Sequence, residues 1–235
     1  AINASYPSIT LTVNVDNNAP SSVTNIATVS GGGEVLTTND IASDLTKIIT
    51  TPINLVATAI ATSQVSLTWD PVPNATNYQI LRSSNHGAFS VIGAPLSNSF
   101  VDSSLTPNTT YLYQVRAADA STLGSPSSVD LATTILFTDD PMSAGSTIIK
   151  AVHITELRTA VNAVRAAAGL SPTTFTDASL SGTRPKALHV TELRSALDAA
   201  RAAIGLSALV YTDPGLAAGG IVKAAHYREL RAGVK

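Results

Sequence analysis

The sequence predicts a multidomain chain, mainly β with α, in three parts: a partial β-sandwich over residues 1–50, a complete sandwich over 51–136 and helical repeats over 137–235. Three observations carry this prediction. Residues 52–136 hold seven short apolar runs separated by turn signals every 8–12 residues, the spacing of a sandwich. Before them only three strand-like runs occur, too few to bury a core of their own. After them a unit built on His-x-x-Glu-Leu-Arg occurs three times, with its histidines 36 and then 37 residues apart (189−153, 226−189).

In the first part, SITLTVNV (8–15) alternates strictly, with Ile9, Leu11, Val13 and Val15 on one face, as in a half-buried strand. The turn signal DNNAPSS (16–22) leads to a second strand, VTNIATVS (23–30). GGGE (31–34) makes another turn, and the segment from Ile41 to Ile49 supplies a third strand. The alternating strand, the VTNIATVSGGG strand and turn, and Asn39-Asp40-x-Ala42-Ser43 resemble the C-terminal half of an Ig-like repeat of large bacterial envelope proteins. The resemblance implies missing strands, supplied either by a longer polypeptide or by another subunit through strand addition.

In the second part, PINLVATAIA opens at Pro52 as an edge strand, and QVSLTW points Val65, Leu67 and Trp69 inward at period two. NYQILRSS turns Tyr78 and Ile80 inward, FSVIG and SFVD are short strands, and TTYLYQVRAAD sets Tyr111, Tyr113, Val115 and Ala117 on one face. SSVDLATTI ends the part. Trp69 on the second strand, Tyr78 on the third and LTPNTTY (105–111) together resemble a fibronectin type III domain. That resemblance implies a tyrosine corner, with the Tyr111 hydroxyl turned back to the backbone near Leu105 and Leu105 plugging the core. No Arg-Gly-Asp occurs, His86 reads as a solvated turn residue, and the Asn-x-Ser/Thr triplets at Asn3, Asn74 and Asn108 read as chance.

In the third part, FTDD (137–140), FTDA (175–178) and YTDP (211–214) each precede a Gly-containing loop and then a helix. Leu157, Ala160, Val161, Val164 and Ala168 make one apolar stripe, and Leu193, Ala196, Leu197, Ala200 and Ile204 make its equivalent. Gly169-Leu170 and Gly205-Leu206 read as helix stops. The third unit ends at Lys235, and reads as a truncated repeat or a cap on a stack.

His153–Glu156, His189–Glu192 and His226–Glu229 share helix faces, but one His and one Glu per unit fall short of a metal site. They are expected to cap the helix starts, with Glu at N3 and His at or beside the N-cap. Arg158, Arg165, Arg194 and Arg201 fall opposite the stripe, either solvated or forming a contact surface. The order of FTD, loop and Glu-opened helix resembles S-layer homology motifs, which implies cell-wall polysaccharide as a ligand, although His stands where that family opens its helix with a Thr-Arg pair.

Charge and composition narrow the function. Charged residues are 13% of the chain and cysteine is absent. Residues 150–235 carry 11 basic and 6 acidic residues (+5), and residues 1–149 carry 3 and 10 (−7). That asymmetry reflects either two kinds of domain or a basic end made for an acidic partner. A nucleic-acid binder needs a basic stripe, and a membrane span needs about 20 apolar residues. Neither is present. No nucleophile elbow, phosphate loop or His-Glu-x-x-His motif occurs. The expectation is a non-catalytic, cofactor-free protein of the bacterial cell surface, a subunit or fragment of a filament. It would associate with itself or with neighbouring domains of a longer chain. The alternative is a module that binds envelope glycan or a partner protein.

Overall fold

The computed structural model describes residues 10, 16, 18–29, 38 and 40–235. The strand expected over 8–15 (Thr10 apart), the turn over 31–34 and the Asn3 triplet lie outside the described residues. The described front part is one antiparallel hairpin, β1 (Ser22–Thr28) and β2 (Ile41–Lys47), paired from Ser22↔Lys47 to Thr28↔Ile41. All fourteen residues are exposed. The hairpin is anchored to the sandwich by Asn74, whose Nδ2 donates to Ser21 O at 2.6 Å and Ile48 O at 3.2 Å.

The sandwich is built from β3 (Val56–Ala61), β4 (Gln64–Thr68), β5 (Asn77–Ser84), β6 (Ser90–Gly93), β7 (Ser99–Asp102), β8 (Thr110–Ala118), β9 (Leu123–Pro126) and β10 (Asp130–Thr133). One sheet runs β3-β4-β7. The other runs β10-β8-β5-β6, with β9 also on β8. Period-two patterning sorts the side chains: Val65, Leu67, Tyr78, Ile80, Tyr113, Val115 and Ala117 fill the space between the sheets. Trp69 meets Tyr78 edge-on, with ring centroids 5.1 Å apart. The Tyr78 hydroxyl accepts from the Val72 N–H at 2.9 Å. The Tyr111 hydroxyl accepts from the Thr106 N–H at 3.0 Å, and Leu105 is buried. Strand β9 was not expected, because Leu-Gly-Ser-Pro neither alternates nor lacks breakers.

Three helices follow: α1 (Ala151–Ala167), α2 (Ala187–Ile204) and α3 (Ala224–Gly233). The expected stripes are buried except at Ile204, which is partly so, with Leu157, Val161, Val164, Leu193, Leu197 and Ala200 fully inaccessible. Each large member contributes about 1.5–3 kcal/mol by leaving water. Their core continues into the sandwich through Leu112, Leu131 and Ile135, so the helices cover the outer face of the five-stranded sheet. The order of layers is three-stranded sheet, five-stranded sheet, helices. A chain connection reinforces the joint: the Thr133 N–H donates to Val234 O at 3.1 Å.

Candidate functional site

The feature with most chemistry is the set of three equivalent loop–helix units. Each begins with an aromatic, Thr and Asp: Phe137-Thr138-Asp139, Phe175-Thr176-Asp177 and Tyr211-Thr212-Asp213. The aspartates sit at φ 54°, 53° and 50°, a left-handed turn that Asp tolerates through local side-chain bonding. The turn aims each carboxylate at the start of its own helix. Oδ2 of Asp139, Asp177 and Asp213 meets the His Nε2 of residues 153, 189 and 226 at 3.1, 3.0 and 3.1 Å. The same oxygen pairs with Lys150, Lys186 and Lys223 at 2.9, 2.6 and 2.7 Å. Bonds from the lysine and then from the histidine hold all three carboxyls below the usual aspartate range.

The histidines are fully buried and stand at N3, not at the N-cap. The N-cap residues are Lys150, Lys186 and Lys223, whose ammonium groups have no lone pair with which to cap. Instead the lysine N–H donates to the Nδ1 of His153, His189 and His226 at 3.2, 3.2 and 3.3 Å. An accepting Nδ1 leaves the proton on Nε2, which donates to the aspartate. The imidazole thus takes the part in the capping box that was assigned to glutamate.

The glutamates lie one turn further on and do not cap. Glu156 accepts from the Thr138 N–H and hydroxyl at 3.0 and 2.5 Å. Glu192 accepts from the Thr176 N–H at 3.2 Å and from its hydroxyl. Glu229 accepts from the Thr212 N–H at 3.0 Å. These bonds fold each loop back on its helix.

The arginines join one unit to the next. Arg158 on α1 donates to Thr176 O and Asp177 O at 2.5 and 2.9 Å. Arg194 on α2 donates to Thr212 O and Asp213 O at 2.6 and 3.0 Å. Arg231 on α3 donates to Thr138 O and Asp139 O at 2.8 and 3.3 Å. Their guanidinium carbons lie over the Phe175, Tyr211 and Phe137 rings at 5.1, 4.4 and 4.8 Å. Unit one therefore holds unit two, two holds three, and three holds one.

The three units form a closed ring. The third unit, expected as a truncated repeat or a cap on the stack, has a helix of 10 residues against 17 and 18 in the first two, and its Arg231 closes the circle of contacts. Arg165 and Arg201 work alongside: Arg165 donates to Ser171 O and Ala196 O at 2.9 and 3.3 Å, and Arg201 to Ser207 O and Gly233 O at 3.1 and 2.8 Å. Arg158, Arg165, Arg194 and Arg201, read as a solvated or contact surface, instead have guanidinium groups committed to backbone carbonyls within the ring. Arg194 is buried and the other three are partly buried. Much of the basic surplus of residues 150–235 is thus consumed internally. Arg231 was missed, although it recurs in the same Glu-Leu-Arg triplet as Arg158 and Arg194.

Other polar clusters are also structural. Among the described residues no group of three or more His, Cys, Asp and Glu is placed to hold a metal. Asp130 lines an open groove of about 400 Å³ between residues 51–55 and 127–130. Burial pushes its carboxyl up, yet it accepts from the Ala57 N–H at 2.8 Å and ties the edges of the two sheets. Asp102 is bridged by Arg82 at 2.9 Å and accepts from the Tyr113 hydroxyl at 2.9 Å. His86 is exposed but is not free in solvent: its ring lies against Gly169, beyond the C-terminus of α1. No helix among the described residues is long and apolar enough to cross a membrane.

Residues 50–133 match the family described as Fibronectin type III domain. Among characterised proteins, a poly(3-hydroxybutyrate) depolymerase of Ralstonia pickettii is 37% identical over 68 residues, which cover 29% of this chain and 13% of that protein. Solved structures with likeness include an Fn3-like protein from Clostridium thermocellum, 25% identical with a TM-score of 0.32, covering 34% of this chain and 86% of that one. A fibronectin type III domain from human KIAA0970 is 22% identical with a TM-score of 0.34, covering 43% of this chain and 84% of that one. The family match, the Trp69–Tyr78 pair and the Tyr111 corner agree. Residues 50–133 are a fibronectin type III domain.

Proposed function

We propose that the chain is a non-catalytic structural module of a bacterial cell-surface or extracellular assembly, part of a filament or of a longer modular protein. The observation that carries this reading is the continuous core joining Leu112, Leu131 and Ile135 of the sandwich to α1 and α2. A shared apolar core fixes two folds at one angle, which suits a load-bearing spacer and not a hinge. The ring's Asp, His, Lys and Glu side chains pair within their own units and its arginines with backbone carbonyls, leaving the Tyr227 hydroxyl and the Nε of Arg158, Arg194, Arg201 and Arg231 as its buried polar side-chain atoms without a partner. The reading assigns this set to architecture and not to chemistry on a substrate. The exposed β1–β2 hairpin is then the place where a neighbouring domain or subunit attaches. Negative-stain microscopy and light scattering of the purified chain test this. Ordered filaments, or a monomer that polymerises with its neighbouring segments restored, support it. Turnover of any substrate that survives loss of the ring's integrity sinks it.

A second reading is favoured by the 37% identity with a segment of a polyester-degrading enzyme. Here the chain is a binding module that holds a larger protein on a neutral solid polymer, a different ligand from the envelope glycan expected from the repeats. Depletion of the chain from solution by polymer particles separates the two readings.

A further inference from the structure

The outer face of the three-stranded sheet lies on the opposite side of the sandwich from the helices. Register places two rows of side chains across it: Val56–Thr68–Ser99 and Thr58–Ser66–Val101. Ile60 and Gln64 extend the same surface beyond a bulge in β3. Val56, Ile60 and Val101 are 51, 51 and 50% exposed. None of these eight residues is charged or aromatic. The whole segment 50–136 contains no Lys and no Glu. Asp70, two residues beyond Thr68, is the charge at the rim of this face, where its carboxylate accepts from Asn54 Nδ2 at 2.8 Å. Residues within a row are about 5 Å apart and the rows about 7 Å apart, so methyl and hydroxyl groups interleave in a flat array.

Such a face discriminates among partners. Nucleic acid and anionic glycan require cations, which are missing. Protein interfaces centre on aromatic or arginine anchors, which are also missing. A solid of neutral chains bearing carbonyl acceptors and short alkyl groups meets it without desolvating a charge. The hydroxyls of Thr58, Ser66, Thr68 and Ser99 supply donors, and Val56, Ile60 and Val101 supply apolar contact. We infer that this face docks on the surface of a solid aliphatic polyester. The inference rests on the second reading above and locates its contact.

The experiment is depletion of the full chain by poly(3-hydroxybutyrate) particles, with carboxylated polystyrene as the charged control. The expected result is adsorption to the polyester that persists in 1 M NaCl and falls at least tenfold in a Thr58→Lys, Val101→Glu double variant. Both positions point outward, and circular dichroism checks that the variant folds. Failure of the parent chain to adsorb overturns the polymer-binding reading and this inference with it. Adsorption that is unchanged in the double variant but lost in an Ile148→Asp, Ile221→Asp variant of the helical loops keeps the reading and overturns the face.

Discussion

The Arg231 guanidinium on the last helix donates to the carbonyl of Thr138 at 2.8 Å, across 93 residues of chain. This bond and its partner to Asp139 turn three repeats into a ring. The Arg231 side chain is 1% exposed and lies over Phe137. Removing it leaves the Thr138 and Asp139 carbonyls without this donor and leaves a cavity at a buried position. Arg231→Ala is expected to cost about 2–4 kcal/mol in a urea titration. Arg231→Lys should recover only part of that loss, because an ammonium does not reproduce the guanidinium fork.

Acid should loosen the ring through its aspartates. Asp139, Asp177 and Asp213 are held below the usual range in the folded state by their Lys and His partners. A depressed folded pKa contributes stability that is complete above the unfolded value, about 3.9, and is lost as pH falls through the folded one. The pH dependence of the thermal midpoint should therefore steepen below about pH 4. Asp177→Asn should flatten that slope while lowering the midpoint at neutral pH.

The Tyr111 corner gives a cleaner stability test, because only one hydroxyl is removed. Its oxygen accepts from the Thr106 N–H at 3.0 Å. Tyr111→Phe is expected to cost about 1–2 kcal/mol, and so to lower the melting temperature by roughly 2–6 °C.

Much of this architecture was legible in the residues, and what escaped has physical causes. Alternation in QVSLTW and TTYLYQV placed Val65, Leu67, Tyr111 and Tyr113 correctly, because one face of each strand must be buried. Leu112 carried a missed signal. It lies out of phase with Tyr111 and Tyr113, on a face shared with Thr110, Gln114 and Arg116, and the helices cover it there. The cap was misassigned by one helical turn, with His at N3 where Glu was expected, because Ser, Thr, Asp and Asn are the usual N-caps, and lysine carries no acceptor. Ring closure was illegible because it depends on contacts between Arg231 and residues some 90 positions away. The repeat period is the same for an open stack and for a closed ring.

The joint between sandwich and ring offers a further test at Gly169. Its φ is +74°, and a Cβ there would lie 2.8 Å from the His86 ring. Gly169→Ala should cost about 1–2 kcal/mol for the left-handed backbone alone, with more from the clash. His86→Ala in the same chain should relieve the second part and not the first. A double-mutant cycle in a denaturant titration reads the difference.

The central claim is that the fibronectin type III domain and the helical ring behave as one cooperative unit, because the core under the helices includes Leu112, Leu131 and Ile135 of the sandwich. The chain has a single tryptophan, Trp69, buried in the sandwich, while the regular helix lies in α1 to α3. Guanidinium unfolding followed at once by Trp69 fluorescence and by helical circular dichroism tests the claim most directly. The account predicts coincident transitions, both moving to lower denaturant in Leu131→Ala. Two separated transitions, with only one displaced by Leu131→Ala, would contradict it.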